Sequence, residues 1–340
     1  MGFTTSDADP ALFTRNDKTG RILMLVYVDD ILISAPTVEA IERVKARLTE
    51  AFKARDLGEA NYYLGINITR DRAAKTIKLS HTRMINDLIS KYDLSECRPR
   101  DTPISVGTVL SKTDGEPLNR DIYPYATLVG ALLYLSITTR PDIAFVVGRL
   151  SCFMSNPTTT HWTVAKGVLR YLATNADMGI TFSGSGTTII GYCDADYAAD
   201  VDTRRSTTGY VFLLNGGAIT WCSKRQPTVA ASTTEAEYIT AGAACREALW
   251  LRKLSADFGL TIGTIGIGSD NQGAIKLLRN PVSSMRSKHI DIVHHFARER
   301  VARGEVIYHY VNTNSMVADA LTKPLPVTKF ITCRTGMGMQ

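Results

Sequence analysis

The sequence predicts an α/β protein made of two units, on the basis of three observations. With 340 residues, the chain is long enough for two domains of ~100–200 residues each. Short apolar runs alternate with segments whose apolar residues recur at helical spacing. The stretch Gly184–Thr187 has the sequence GSGT, which is typical of a flexible linker. We therefore predict one unit over residues 1–186, a second over 187–326 and a C-terminal tail over 327–340.

The first unit is predicted to open with a β-hairpin followed by a helix. The apolar runs Ile22–Val28 and Ile31–Ala35 are separated only by Asp29 and Asp30, a spacing typical of a two-residue hairpin loop. Two polar residues in a tight turn are therefore one interpretation of this aspartate pair. In Thr37–Phe52, apolar residues recur at helical spacing and predict a helix.

A second strand pair, a connector and several helices are predicted for the rest of this unit. The strands are Asn61–Thr69 and Lys75–Leu79, joined by a polar turn. Arg98–Asn119 is rich in Pro, Gly, Ser and Thr, which indicates a connector without regular structure. The predicted helices are Thr82–Tyr92, Tyr125–Met154 and Trp162–Ala173, with breaks at Arg140-Pro141 and Asn156-Pro157.

The second unit has a different pattern, in which three strands come in quick succession and helices then alternate with strands. This order predicts a mixed sheet with helices on its faces. The predicted strands are Thr188–Cys193, Gly209–Leu214, Ala218–Ser223, Ile262–Ile267 and Val306–Val311. The predicted helices are Thr233–Asp257, a short one after Asn271, Ile292–Arg303 and a final one from about Ser315.

Composition narrows the class of protein. The chain carries 39 basic and 33 acidic residues, a net charge of +6, which permits a polyanionic partner without requiring one. Its six cysteines form no CxxC pair, which argues against a zinc site or a disulfide framework. Reduced thiols favour the cytoplasm or nucleus over secretion. No apolar run approaches the ~20 residues of a membrane span, so we expect no membrane partner.

Four separated acidic residues in the second unit are candidate metal ligands. Asp194 closes an apolar strand run, Asp270 follows another, and Asp319 opens the predicted final helix. In a mixed sheet, residues just beyond the strand ends converge on one crevice. Glu237 lies at the N-terminal end of an apolar helix stripe that faces the sheet, whereas Glu235 is predicted to face solvent. That stripe consists of Ala241, Ala244, Ala248 and Leu251.

Each of these acids also has a structural interpretation. Asp270 could cap the helix that follows it, and Asp319 could complement a helix dipole. Asp194 could end a strand, and Glu237 could be a first-turn acid. These separate roles would have to place all four acids at the same sheet edge by chance. A shared metal site explains that placement, because Mg²⁺ takes oxygen ligands. Two such ions roughly 4 Å apart activate water and stabilise the leaving oxygen of a phosphodiester. We therefore expect two Mg²⁺ ions, with Mn²⁺ able to substitute.

Seven motifs, in order along the chain, resemble the Pol polyprotein of copia-type LTR retrotransposons. They are YVDD (Tyr27–Asp30), YYLGINI (Tyr62–Ile68), TRPDIAF (Thr139–Phe145), STTEAEY (Ser232–Tyr238), SDNQGAI (Ser269–Ile275), SKHIDI (Ser287–Ile292) and VADALTKPL (Val317–Leu325). The resemblance implies a reverse-transcriptase remnant, an α+β part of the palm and thumb. It also implies that an RNase H-like mixed sheet of five strands with flanking helices follows.

The resemblance assigns roles to the acidic residues. Asp29 and Asp30 would be metal ligands on the palm hairpin of a polymerase. The acidic tetrad of catalytic metal ligands in the RNase H fold would be Asp194, Glu237, Asp270 and Asp319. A polymerase of this family also needs fingers and an upstream palm aspartate on a separate strand. The 26 residues before Tyr27 supply neither, so we expect no polymerase activity from this polypeptide alone.

The activity implied by the resemblance is Mg²⁺-dependent endonucleolytic cleavage of RNA in RNA–DNA hybrids. Such a hybrid is held mainly through its phosphates, and 2′-hydroxyls distinguish the RNA strand. The candidate nucleic-acid contacts are Arg204, Arg205, Lys224, Arg225, Arg286, Lys288 and His289. Other Pol segments that supply the palm and fingers are candidate partners. The alternative is a non-catalytic retroelement relic that binds nucleic acid or a Pol partner.

Overall fold

The computed structural model describes residues 1–184, 186–279 and 291–340, and for residues 291–295 it describes only the backbone. Within these ranges the chain forms three β-sheets with helices packed against them. This architecture confirms the predicted α/β class. No helix in the described part of the chain is long and apolar enough to cross a membrane.

The N-terminal sheet contains the predicted hairpin. Its antiparallel strands are, in order across the sheet, β1 (Thr4–Thr5), β2 (Leu12–Asp17), β3 (Gly20–Tyr27) and β4 (Asp30–Ser34). The turn lies one residue earlier than predicted: Tyr27 pairs with Asp30, so Val28 and Asp29 form the loop. Val28 has a φ of 52°, a left-handed conformation that β-branched residues rarely adopt.

Helix α1 (Val38–Ala51) covers one face of this sheet, as the helical spacing predicts. Thr37 caps its N-terminus by accepting a hydrogen bond from the backbone N–H of Ala40 at 3.2 Å. Apolar side chains on one face of the helix pack against β3, which removes them from water. The buried residues of this small core are Ile22, Met24, Ala40, Val44 and Leu48.

The second sheet joins strands that are far apart in sequence. Its strands, each antiparallel to the next, are β5 (Tyr62–Tyr63), β6 (Ile66–Asp71), β7 (Thr76–Ser80) and β8 (Ile180–Ser183). The predicted strand Asn61–Thr69 is interrupted at Leu64 and Gly65, whose φ angles are 50° and 81°. The helices between β7 and β8 are α2 (Thr82–Lys91), α3 (Tyr125–Thr138), α4 (Ala144–Ser151) and α5 (Thr159–Thr174).

Helices α3 and α4 are separated at the predicted break. Pro141 has no backbone N–H with which to continue α3, and Pro141–Ile143 form a short 3₁₀ turn instead. The segment Arg98–Asn119 contains neither helix nor strand, as predicted for a connector. Helices α2 to α5 thus connect β7 to β8, and the division between α3 and α4 lies at a proline, Pro141.

The third sheet is the predicted mixed sheet and has five strands. They are β9 (Ile189–Asp196), β10 (Thr207–Leu214), β11 (Gly217–Arg225), β12 (Ile265–Ser269) and β13 (Val306–Tyr310), in the spatial order β11-β10-β9-β12-β13. The first three form an antiparallel meander, whereas β12 is parallel to both β9 and β13. Helix α6 (Thr233–Asp257) has the predicted bounds and packs on β9 and β10. Helices α7 (Gln272–Arg279) and α8 (Asp291–Ala302) pack beside it.

The chain after β13 differs from the prediction of one continuous final helix. Two short 3₁₀ turns, Thr313–Ser315 and Val317–Leu321, come first. Helix α9 (Val327–Gly336) follows them. Pro324 and Pro326 explain the interruption, because proline lacks a backbone N–H and disfavours helical conformation in the residue before it.

One hydrophobic core extends across the predicted boundary near Gly184. It joins α3, α4 and α5 to side chains of β10 and β11 and to the predicted tail, whose contributing residues are Phe330, Cys333, Met337 and Met339. The backbone N–H of Ala218 in β11 donates to the carbonyl of Met337 at 3.0 Å, and that of Thr181 in β8 donates to Gly338 at 2.8 Å. The tail is thus helical and packed, while the division into domains stays a prediction.

Candidate metal centre

Asp194 lies inside the central strand β9 rather than at its end, because β9 continues to Asp196. Its partner in β10 is Gly209. A Cβ at Gly209 would lie 2.5 Å from Cγ2 of Thr322, so only glycine leaves room for the chain after β13 to approach the sheet here. The buried Asp194 carboxylate accepts a hydrogen bond from the Thr322 hydroxyl.

Glu237 faces the sheet from the first half of α6, as the apolar stripe predicts. Ser232 caps this helix by accepting from the backbone N–H of Glu235 at 3.2 Å, and the Glu235 side chain accepts from the N–H of Ala231 at 2.7 Å. Glu237 is only 7% exposed. Its carboxylate accepts from the backbone N–H of Ala195, but its Oε2 atom is buried without any hydrogen-bond partner. Such an orphaned oxygen is costly unless a cation contacts it.

Asp270 follows β12, the parallel neighbour of β9. The alternative that it caps α7 is wrong, because Asn271 performs that function: its Oδ1 accepts from the backbone N–H of Ala274 at 2.9 Å. Asp270 instead accepts a hydrogen bond from the hydroxyl of Thr313 at 2.8 Å. Thr313 belongs to the first 3₁₀ turn after β13, so this contact ties that turn to the sheet edge.

The structure brings three of the four predicted acids together. One carboxylate oxygen from each of Asp194, Glu237 and Asp270 lies within 4.8 Å of the other two. No other group of three or more acidic, histidine or cysteine side chains in the described ranges is similarly close. A hard divalent cation takes oxygen ligands of this kind. The donor set and the orphaned Glu237 oxygen therefore fit Mg²⁺ or Mn²⁺.

Asp319 is connected to this cluster through a lysine. It lies in the second 3₁₀ turn, not at the start of an α-helix. The ammonium of Lys323 is 2.8 Å from Asp319 Oδ1 and 3.2 Å from Asp194 Oδ2, so one cationic group bridges both carboxylates. On its other side, Asp319 Oδ2 is 3.1 Å from the ammonium of Lys329. Two lysines thus balance the charge of the fourth predicted ligand.

Burial and repulsion raise the pKa values of two acids in the cluster. For Glu237, burial together with the nearby Asp194 and Asp270 raises the pKa from 4.5 to about 9. For Asp194, burial raises the pKa from 3.8 to about 6, with Lys323 acting in the opposite direction and Asp319 adding to the rise. Without a bound cation, burial and repulsion within the cluster therefore favour the protonated form of Glu237.

The two aspartates of the first hairpin have a different environment. Asp29 and Asp30 are both exposed at the tip between β3 and β4. Within the described ranges, neither belongs to a group of three or more closely spaced potential ligands. The described part of the chain therefore provides no third carboxylate next to the YVDD turn, and the metal-binding role of Asp29 and Asp30 stays a prediction.

The basic side chains predicted to contact nucleic acid differ in their exposure to solvent and in whether they form ion pairs within the protein. Arg204 and Lys224 are exposed, and Arg205 is half-buried. Arg225 forms an ion pair with the buried carboxylate of Asp200, which is also 3.2 Å from Arg149. Because Asp200 engages it, Arg225 contributes to the fold. The other three candidates, Arg286, Lys288 and His289, lie outside the described residues.

Sequence reasoning missed the residues that surround the acids. Lys323 and Lys329 neutralise Asp319, while Thr322 and Thr313 donate to Asp194 and Asp270. For Lys323 a signal was available: it follows Asp319 by four residues, the spacing of a pair on one helical face. The link from Lys323 to Asp194 carries no such signal, because 129 residues separate the two.

Comparisons with known proteins identify the family. The family model described as reverse transcriptase (RNA-dependent DNA polymerase) matches residues 1–106 of this chain. The retrovirus-related Pol polyprotein from transposon TNT 1-94 of Nicotiana tabacum is 39% identical over 338 residues, 98% of this chain. The transposon Ty5-1 protein of Saccharomyces cerevisiae is 38% identical over 243 residues, 71% of this chain and 78% of the yeast protein. The chain belongs to the retrotransposon Pol polyprotein family.

Membership of the Pol family confirms the resemblance inferred from the seven motifs. This Pol chain spans 26% of the length of the tobacco polyprotein, so it corresponds to a part of that relative. Among solved structures, it is similar to the foamy viral protease–reverse transcriptase in complex with dsDNA, with 15% identity and a TM-score of 0.47. That match covers 85% of this chain and 55% of the viral protein.

Proposed function

We propose that the C-terminal unit of this Pol chain is a metal-dependent endonuclease that cleaves the RNA strand of RNA–DNA hybrids. The observation that carries this proposal is the group of three carboxylates from β9, α6 and the end of β12, with a buried Glu237 oxygen that has no partner. These side chains come from three separate elements and meet at one edge of the sheet. An acidic group of this kind is costly unless it binds cations.

The cluster supplies the ligands for divalent ions, and Mg²⁺ is the expected ion, with Mn²⁺ able to substitute. Asp194, Glu237 and Asp270 would hold the first ion, and Asp319 would join Asp194 in contacting a second. Bound there, the ions would lower the pKa of water and stabilise the leaving oxygen of the phosphodiester. Glu237 would give up its proton when a cation binds, which makes metal affinity increase with pH.

The hybrid would bind across the mouth of this cluster. Exposed Arg204 lies on the connection between β9 and β10, and exposed Lys224 lies near the end of β11; both would contact phosphates. Hydrogen bonds to 2′-hydroxyls would distinguish the RNA strand from DNA. Arg286, Lys288 and His289 stay candidates for the same role. Other Pol segments would assemble with this chain to complete the polymerase.

The test is hybrid cleavage by the 340-residue chain, with two glutamates of α6 compared. Glu237→Gln should lower the cleavage rate at least about 100-fold, because it removes a metal ligand. Glu247→Gln is the matched control: Glu247 lies on the same helix but binds Tyr210 and Thr220 instead of the cluster. Its rate should stay within a few-fold of wild type. Equal cleavage by all three chains would contradict the assignment.

We also propose that this chain alone does not polymerise DNA. The support is that Asp29 and Asp30 are exposed, without a third carboxylate beside them among the described residues. Primer extension on a homopolymer template with Mg²⁺ should give no product. Robust synthesis that Asp30→Asn abolishes would contradict this proposal.

The second candidate function is hybrid binding without cleavage, as expected of a retroelement relic. The specific observation in its favour is that Lys323 and Lys329 already neutralise Asp319. Hybrid binding by the wild-type chain, with no cleavage in either Mg²⁺ or Mn²⁺, would favour this alternative. Cleavage that Asp194→Asn abolishes would exclude it.

A further inference from the structure

We propose that Lys323 is a positioning residue that acts as a resident cation, holding Asp194 and Asp319 together and lowering their affinity for a second divalent ion in the free protein. This inference rests on the proposed nuclease function. It concerns the order in which the cluster is occupied: the three-carboxylate group would take one ion first. A second ion would bind well only when the Lys323 ammonium moves away.

The contacts of Lys323 support this role. Its ammonium donates to Asp194 Oδ2 at 3.2 Å and lies 2.8 Å from Asp319 Oδ1. Both carboxylates are buried, and they come from different parts of the fold, the central strand and the second 3₁₀ turn. An ammonium between two carboxylates provides the positive charge that a divalent ion would otherwise bring.

Lys323 is also able to leave this position. Its side chain is 32% exposed, whereas those of Asp194 and Asp319 are each only 2% exposed. A lysine ammonium at the end of a flexible four-carbon chain can move toward solvent without any change in the backbone. A nearby phosphate of a bound hybrid offers it a new partner. The fixed carboxylates would then be free to contact a second cation.

The charges around the cluster fit occupation by a single ion in the free chain. Lys323 and Lys329 offset the charges of Asp194 and Asp319. Asp270 and Glu237 form no ion pair with a lysine or arginine among the described residues, and the Glu237 Oε2 atom has no hydrogen-bond partner. The carboxylates that form no ion pair with lysine or arginine therefore belong to the group of three that would take the first ion.

The test is calorimetric titration of Mn²⁺ into the metal-free 340-residue chain without nucleic acid. Wild type and Lys323→Arg should bind only one ion tightly. Both retain a cation between the carboxylates of Asp194 and Asp319, and this cation weakens binding of a second ion. Lys323→Gln should bind a second ion at least tenfold more tightly than wild type does. Lys253→Gln is the control for general loss of one positive charge, since Lys253 donates to the backbone carbonyl of Asp7 and forms no ion pair within the described residues. It should behave as wild type.

Thermal unfolding provides a second measurement on the same proteins. Lys323→Gln should melt at a lower temperature than wild type in EDTA, and saturating Mn²⁺ should raise its melting temperature more than that of wild type. The inference is overturned if Lys323→Gln binds Mn²⁺ with wild-type stoichiometry and affinity, or if saturating Mn²⁺ raises its melting temperature no more than that of wild type. A wild-type chain that binds no Mn²⁺ would overturn the proposed function as well.

Discussion

The guanidinium of Arg140 donates two hydrogen bonds to the carboxylate of Asp142, at 2.9 and 2.8 Å, and both side chains are fully buried. The hydroxyl of Tyr171 in α5 also donates to Asp142, at 2.6 Å. Arg334 of α9 contacts that hydroxyl at 3.0 Å. This network therefore connects the break between α3 and α4 to the C-terminal helix.

Loss of one charge from this buried pair should be strongly destabilising. Asp142→Ala leaves Arg140 buried without its counter-ion, so we expect the free energy of unfolding to fall by about 3–5 kcal/mol. The exposed pair Arg72–Glu59, with a distance of 2.7 Å, is the control. Glu59→Ala should cost about 1 kcal/mol or less. Urea unfolding followed by circular dichroism measures both, and equal losses would contradict the prediction.

Helix α9 offers a matched pair of neighbouring apolar residues. Phe330 is 4% exposed and packs edge-on against Tyr171, whereas Ile331 is 41% exposed. Phe330→Ala should reduce the free energy of unfolding by about 3–5 kcal/mol, because it leaves a cavity in the shared core. Ile331→Ala should have an effect several times smaller. A larger effect at Ile331, measured by urea unfolding, would show that α9 packs with its other face inward.

The raised pKa of Glu237 predicts how stability depends on pH in the absence of metal. The folded chain binds this proton more tightly than the unfolded chain. The stabilisation is therefore fully present below the ordinary pKa of 4.5 and is lost as pH rises through about 9. In EDTA at pH 10, Glu237→Gln should melt at least about 3 °C above wild type, because its side chain carries no charge.

Differential scanning calorimetry across pH checks this expectation. Below pH 4 the melting temperatures of Glu237→Gln and wild type should nearly coincide, since both side chains are then largely uncharged in the folded and in the unfolded chain. Glu247→Gln removes a glutamate from the same helix outside the cluster, and it should not melt above wild type at pH 10. If the Glu237→Gln and wild-type curves run parallel between these two pH values, Glu237 does not retain its proton in the folded chain.

The neighbouring residues Lys224 and Arg225 should respond differently to substitution. Lys224 is exposed and free to contact a phosphate. Lys224→Ala should therefore make the plot of log K for hybrid binding against log salt concentration less steep by about 0.9, the effect of one phosphate contact. Arg225 is paired with Asp200, so Arg225→Ala should lower the melting temperature and leave the slope near its wild-type value. Fluorescence anisotropy in EDTA at several salt concentrations measures the slopes. Equal slope changes would assign both residues to the hybrid.

The elements that could be predicted from sequence are those governed by local signals. Helix α6 has the predicted bounds because Ser232 caps it and one continuous apolar stripe runs along it. The break before Pro141 and the hairpin around Asp29 depend on the residues next to them in the chain. The position of Glu237 facing the sheet also follows from helical periodicity alone. The sequence predicts all four acids at one edge of the sheet, and the structure brings carboxylate oxygens of Asp194, Glu237 and Asp270 together.

The features that could not be predicted depend on contacts between distant residues. The 3₁₀ turn that carries Asp319 forms where two prolines interrupt a helical pattern, and its approach to β9 depends on Gly209, 110 residues earlier. The bridge from Lys323 to Asp194 requires the same approach. Helical periodicity likewise does not predict that α9 packs into the shared core, because it shows that a helix face is apolar but not which residues cover that face.

The core shared by α9, β10, β11 and helices α3–α5 has a practical consequence for anyone seeking a minimal nuclease. A fragment cut at the glycine-serine linker would expose to water the buried faces of Val211 and Ala218, which the helical layer now covers. It would therefore tend to aggregate unless those positions were redesigned as polar. Both halves should therefore be expressed as one piece, because the part of the sheet that carries the acidic cluster depends for its solubility on a region that contributes no carboxylate to that cluster.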